Sequence, residues 1–234
     1  MKKTCLALVA AFTLTLTTAR AADFDKGLDA YNAGDFSAAL IEFGELAEQG
    51  YAGAQYNLGY LYLNGEGVAQ DYAEAVKWYE LAAEQGYVEA QASLGIMYLI
   101  GEGVMQDYAE AAKWNAMAAE QGYASAQYNL GLMYSDGDGV AQNEVAAVDW
   151  ITLAAEQGFA FAQFNLAGRY YHANGVVQNF VLAHMWANIA TANGSESSAE
   201  FRDFVAEKMS QADISTAQRM ASECMASNYE SCGY

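Results

Sequence analysis

Apolar residues recur along this chain with a helical period nested inside a longer one. Ala54, Leu58 and Tyr62 stand at i, i+4 and i+8, one face of a 3.6-residue helix, and the face ends at the breaker Gly65-Glu66-Gly67-Val68. A second helix opens at Asp71, an N-cap residue with Glu74 three places on as a capping box, and turns Ala75, Trp78 and Ala82 inward until Gly86 stops it. The pair repeats every 36 residues. Ala-Gln opens units at 54, 90, 126 and 162, and Ala-Glu-Gln-Gly recurs at 47–50, 83–86, 119–122 and 155–158. Trp78, Trp114, Trp150 and Trp186, all four tryptophans of the chain, share one column, and Tyr62, Tyr98, Tyr134 and Tyr170 share another. A fixed period of this size marks a solenoid, in which hairpins that cannot bury an apolar face alone bury it against their neighbours.

Local signals agree with two helices per unit. Asp107 with Glu110 repeats the capping box, Asn143 and Asn179 keep cap-competent side chains, and Gly122, Gly158 and Gly194 supply the left-handed residue that ends a helix. Gly59, Gly95 and Gly131 lie inside the first helix at a cost of about 1 kcal/mol each relative to alanine, which predicts close helix contact there. Ala167 holds the same place in the fourth unit, so a small residue is required.

These residues resemble the Sel-one-like repeat (SLR) family, a relative of the tetratricopeptide repeats. The family pattern is matched by Ala90, Leu94-Gly95, Tyr98, Gly101-Glu102-Gly103-Val104, Asp107, Trp114, Ala118-Ala119 and Gly122. The resemblance implies an all-α, right-handed α/α solenoid with units at 54–89, 90–125, 126–161 and 162–197. An incomplete tetratricopeptide-like unit at 22–53 precedes them, carried by Ala30-Tyr31, Gly34-Asp35 and Ala38-Ala39. Residues 198–234 lose the period, and their apolar positions Phe201, Phe204, Val205 and Met209 suit helices that cap the stack. The fourth unit departs from the pattern, with Ala173 for the first turn glycine, Arg169 for an aliphatic residue, and His172 and His184 found there alone.

Residues 1–21 read as a targeting segment: Lys2 and Lys3, an apolar core from Leu6 to Leu16, and small residues at Ala19 and Ala21. The core is short for a membrane anchor, the alternative reading, and Cys5 precedes it, where a lipoprotein cysteine would follow. The mature chain then begins at Ala22, and the expected location is the periplasm or the medium. Cys224 and Cys232 remain near the C-terminus, where an oxidising compartment lets them pair; half of a zinc site is the alternative. A paired-cysteine tail also resembles exported members of the family.

Charge narrows the partners. The 234 residues carry 10 Lys+Arg against 29 Asp+Glu, net −19, and removing residues 1–21 leaves 7 basic against 29 acidic residues, net −22. Such a chain repels phosphate backbones, which excludes nucleic acid as a partner, while 54% hydrophobic residues exclude disorder. Glu48, Glu84, Glu120 and Glu156 recur near second-helix C-termini, where the helix dipole disfavours them; they serve a solvated ridge or steer a basic partner.

Catalytic chemistry finds little footing. His172 and His184 lie twelve residues apart on different helices and read as surface or groove residues, and no CxxC, HExxH or GxSxG occurs. The Gly-x-Gly turns lack a following Lys and hold Glu66, Glu102 and Asp138, so they are turns rather than phosphate cradles. No catalytic residue, metal ligand or cofactor is assigned. The first helices instead present a second stripe: Tyr56, Tyr60, Leu63; Ala92, Ile96, Leu99; Tyr128, Leu132, Ser135; Phe164, Gly168, Tyr171. It is either packing between repeats or an apolar groove for a peptide, flanked by Asn57, Asn129 and Asn165, with Ser93 in the second unit. The candidate partner-binding residues are Tyr56, Asn57, Tyr60, Leu63, Ile96, Leu99, Tyr128, Asn129, Leu132, Phe164, Asn165 and Tyr171. The resemblance implies an exported scaffold that binds a protein or peptide on the concave face of the solenoid and regulates an envelope enzyme, toxin or sensor. The rival is an enzyme or small-ligand binder akin to cysteine-rich repeat proteins linked to β-lactams.

Overall fold

The computed structural model describes residues 24–230 and Cys232; the targeting segment assigned to residues 1–21 lies outside them. The described residues form helices and turns, with no strand. They fall into two compact units that meet in sequence after Gln106. The first holds α1 (24–32), α2 (Phe36–Glu48), α3 (Ala52–Asn64), α4 (Tyr72–Glu84) and α5 (Val88–Ile100). The second holds α6 (Tyr108–Glu120), α7 (Ala124–Asp136), α8 (Glu144–Ala155), α9 (Ala160–His172), α10 (Phe180–Ala192), α11 (Glu196–Ala206) and α12 (Gln211–Ala226).

Within each unit, from α2 to α5 and from α6 to α11, helices adjacent in sequence pack on one another, and α12 packs on α10. In the first, Ala39, Phe43, Leu46, Leu58 and Leu61 form a core closed by Phe24, Tyr31 and Phe36. In the second, Ile151, Leu166, Met185, Trp186 and Ile189 are sealed by Ala217, Ala221 and Cys224 of α12 and flanked by Phe201 and Met209. Burying each such large side chain contributes about 2 kcal/mol. Trp114 and Trp186 are buried, but Trp78 and Trp150 are only half-buried, and Tyr79 and Ile151, one position on, take the inner seat there.

The N-caps form at the predicted residues. Asp71 accepts from Glu74 N, Asp107 from Ala109 and Glu110 N, Asn143 from Val145 and Ala146 N, and Asn179 from Leu182 N. The box is not reciprocal, however: the N–H of Asp71 goes to the Tyr62 carbonyl at 3.0 Å, and Glu74 pairs with Lys77 at 2.6 Å. The preceding helix thus satisfies the donor that Glu74 would otherwise serve.

Two features fix the stacking. A Cβ on Gly67 would stand 2.6 Å from the Phe36 carbonyl, and one on Gly103, Gly139 or Gly175 would overlap the carbonyl of Tyr72, Tyr108 or Glu144. The second turn glycine is therefore where one hairpin rests its backbone on the start of an earlier second helix. Four buried glutamines make the other joint. Gln55, Gln91, Gln127 and Gln163 donate Nε2 to the carbonyls of Ala47, Ala83, Ala119 and Ala155 at 3.0–3.2 Å, tying each first helix to the end of the helix before it. Gln85, Gln157 and Asn193 extend the ladder, each donating to the glutamine thirty residues earlier.

Candidate functional site

The stripe of the first helices divides by burial. In the first unit Tyr56 is half-buried, its ring stacked 5.5 Å from Tyr79 and tilted against Tyr87 at 5.2 Å, so it packs on the second helix of its own repeat and the turn that follows it. Ala92 is buried and Leu63 and Leu99 are half-buried, whereas Tyr60 and Ile96 reach solvent at 36% and 42% exposure. Asn57 donates to the Gly53 carbonyl of its own helix at 2.7 Å. Tyr31 meets Tyr60 edge to face, and burial, then the charge of Glu66, pushes its hydroxyl up to about 12.

In the second unit Asn129, Leu132 and Ser135 are half-buried, and Ser135 donates to Glu144. Tyr128, Phe164 and Tyr171 sit among other rings: Tyr128 near Phe159, Phe164 edge-on to Phe201, and Tyr171 near Phe180, Phe201 and Phe204. Between Tyr128 of α7 and Phe201 of α11, over α9, lies a cleft of about 450 Å³. Its floor carries Phe161, Phe164, Asn165 and Gly168, residues spaced to share one helix face. At its edge Arg169 donates through Nε to Asn165 at 2.8 Å and through Nη1 to Glu144 at 2.6 Å. Burial raises the Tyr128 hydroxyl, opposed in part by a hydrogen bond with Asn165 and the charge of Arg169.

The two histidines separate. His172 is exposed at the lip of the cleft, whereas His184 is buried in α10, not a surface or groove residue as its polarity suggests. Burial lowers its pKa, the charge of Arg202 lowers it further, and Asp203 partly opposes them. Among the described residues no three His, Cys, Asp or Glu side chains cluster as metal ligands, and no helix is long and apolar enough to cross a membrane. Cys224 and Cys232 are joined in a disulfide. The bridge closes the turn that carries Tyr229, whose hydroxyl bonds to Asn193.

The cleft went unseen in the pattern of residue types. The signal was a gap: the column Tyr60, Ile96, Leu132 ends in Gly168, and the column Gly53, Glu89, Ser125 ends in Phe161.

Comparison with known proteins settles the family. The Sel1 repeat model matches residues 52–87, 88–123, 124–159 and 160–195, more than half of the chain. The chain is a Sel1 repeat protein. Among solved structures it is similar to c5321, a protective antigen of uropathogenic Escherichia coli strains displaying an SLR fold, at 33% identity and a TM-score of 0.77. That match covers 87% of this chain and 46% of c5321, so the chain spans about half the length of that relative. It is also similar to a Sel1 repeat protein from Oxalobacter formigenes at 35% identity, TM-score 0.72, over 76% of this chain and 73% of that one. No curated protein sequence matches the chain. The fold class is thus the all-α SLR solenoid, and Sel1 repeat proteins are in general scaffolds that bind other proteins.

Proposed function

We propose that this Sel1 repeat protein is an exported adaptor that binds another protein through the side chains of its first helices and so regulates an envelope enzyme, a toxin or a sensor. One observation carries the reading: on the face where a globular helix would turn polar groups outward, Tyr60, Ile96 and Phe161 remain open to solvent. The reading draws on the scaffold role of the family and on the targeting pattern of residues 1–21. A net charge of −22 after removal of that segment favours a basic partner and speeds its approach.

Affinity capture from an envelope extract, with washes at low and high salt, tests it. The expected result is retention of one basic protein, weakened as ionic strength screens the attraction. Retention of a small molecule alone, or of no protein at either salt concentration, overturns it.

A further inference from the structure

Resting on that reading of the first-helix face, we propose that the cleft over Gly168 is a pocket for one bulky apolar side chain, Phe, Tyr, Trp or Leu, carried by an extended partner segment with basic residues beside it. The repeat itself defines the vacancy. Tyr60, Ile96 and Leu132 fill this column in the preceding units, and Gly168 leaves it open, with nothing within 4 Å of where its Cβ would stand. Neighbouring side chains do not collapse into the gap. Phe164 and Phe201 hold each other at 5.7 Å, and Arg169 is tied back by Asn165 and Glu144. A cavity of about 450 Å³ remains, inside the usual range for a ligand pocket.

The lining states what fits. Tyr128, Phe161, Phe164 and Phe201 surround the opening with ring surface, so the occupant is apolar or aromatic. Asn165, Asn174 and Arg169 stand among them, and the two bonds of Arg169 use two of its five N–H groups, leaving donors for the carbonyls of an extended backbone. An anionic guest is disfavoured, because the Arg169 charge is already matched by Glu144 and the whole chain is strongly acidic. Phe161 also borders a second cleft of about 560 Å³ that contains Glu196, so a Lys or Arg next to the apolar side chain meets an acid there.

The test titrates the purified full chain with acetyl-Gly-Lys-Phe-Lys-Gly-amide and with the same peptide bearing Ala or Glu in place of Phe, following the ring resonances of Tyr128, Phe164 and Phe201 by NMR. The Phe peptide should give saturable shifts, with affinity at least tenfold above the Ala peptide, and the Glu peptide should give none. Gly168→Leu, which restores the side chain found at Leu132, should abolish the shifts without lowering the melting temperature. Phe201→Ala, which removes a wall, is the second variant and should weaken the Phe peptide at least fivefold. Equal binding of the Phe and Ala peptides, absence of saturable shifts, or undiminished binding to Gly168→Leu overturns the pocket. A captured protein partner that binds Gly168→Leu at full strength overturns the pocket and leaves the scaffold reading standing. Failure to capture any partner counts against the scaffold reading, while the peptide titration still decides the pocket.

Discussion

Arg169 donates through Nη1 to Glu144 at 2.6 Å, and both residues depart from the repeat together. Arg169 stands in the column of Leu61, Met97 and Met133, and Glu144 in the column of Phe36, Tyr72, Tyr108 and Phe180. An ion pair has replaced apolar residues at both ends. Its two members are unequally placed, the Arg169 side chain being 8% exposed and that of Glu144 40%.

The asymmetry predicts unequal losses. Glu144→Ala leaves a buried guanidinium without its counter-charge and should cost about 2–3 kcal/mol. Arg169→Met leaves a carboxylate that water can solvate and should cost about 1 kcal/mol or less. The double change Glu144→Tyr with Arg169→Met restores the residues found one repeat earlier, Tyr108 and Met133, and should recover most of the loss. Urea denaturation of the set measures all three.

Stacking glycines and C-cap glycines should respond differently to alanine. At Gly139 a Cβ would overlap the Tyr108 carbonyl, and φ is +71°, so Gly139→Ala combines steric and backbone strain and should cost about 3 kcal/mol or more. Gly122 has φ +88° but open space around it, so Gly122→Ala should cost only about 1 kcal/mol. Equal shifts in the denaturation midpoint would mean that the hairpins do not rest on these turns.

The hairpins, their caps and their stacking were legible because four copies report the same columns. Of the face Ala54, Leu58 and Tyr62, the first two are buried and Tyr62 is half-buried, and Gly59 is buried where close helix contact was expected. Polar residues in the core were harder to place. Gln55 and its equivalents read as unit markers, since a sequence does not show that a backbone carbonyl waits eight residues back. His184 suggested a surface site, although its column of Leu40, Val76, Ala112 and Val148 is apolar throughout. The cleft was hidden for another reason: helical projection counts positions on a face, and Gly168 occupies a position without filling it.

Stability should fall in mild acid through His184. Its folded pKa lies below the ordinary value, chiefly through burial and then through Arg202, with Asp203 opposing. The unfolded chain therefore takes up a proton near pH 6.5, before the folded chain does. The contribution is complete above about pH 6.5 and is lost as the pH falls toward the lower folded value. His184→Val, the residue at Val76 and Val148, should flatten the dependence of melting temperature on pH between about 7.5 and 5. An unchanged slope would locate the titrating group elsewhere.

Reduction should loosen the C-terminal clasp. The Cys224–Cys232 bridge closes a loop with a sequence separation of 8, for which chain entropy gives about 2–3 kcal/mol. Cys224→Ser, or dithiothreitol on the native chain, should lower stability by about that amount and speed amide exchange around Tyr229 and Asn193. A melting curve indifferent to dithiothreitol would contradict this.

Whether the first helices form the binding face is tested most directly by site-specific photocrosslinking in living cells. Benzoylphenylalanine would replace Tyr60, Ile96 or Phe161 on the first helices, and Leu81, Met117 or Leu153, also apolar and exposed, on the second. The prediction is that the first set captures a discrete protein partner and the second set does not. Adducts formed only from Leu81, Met117 and Leu153, or from none of the six sites, would contradict it.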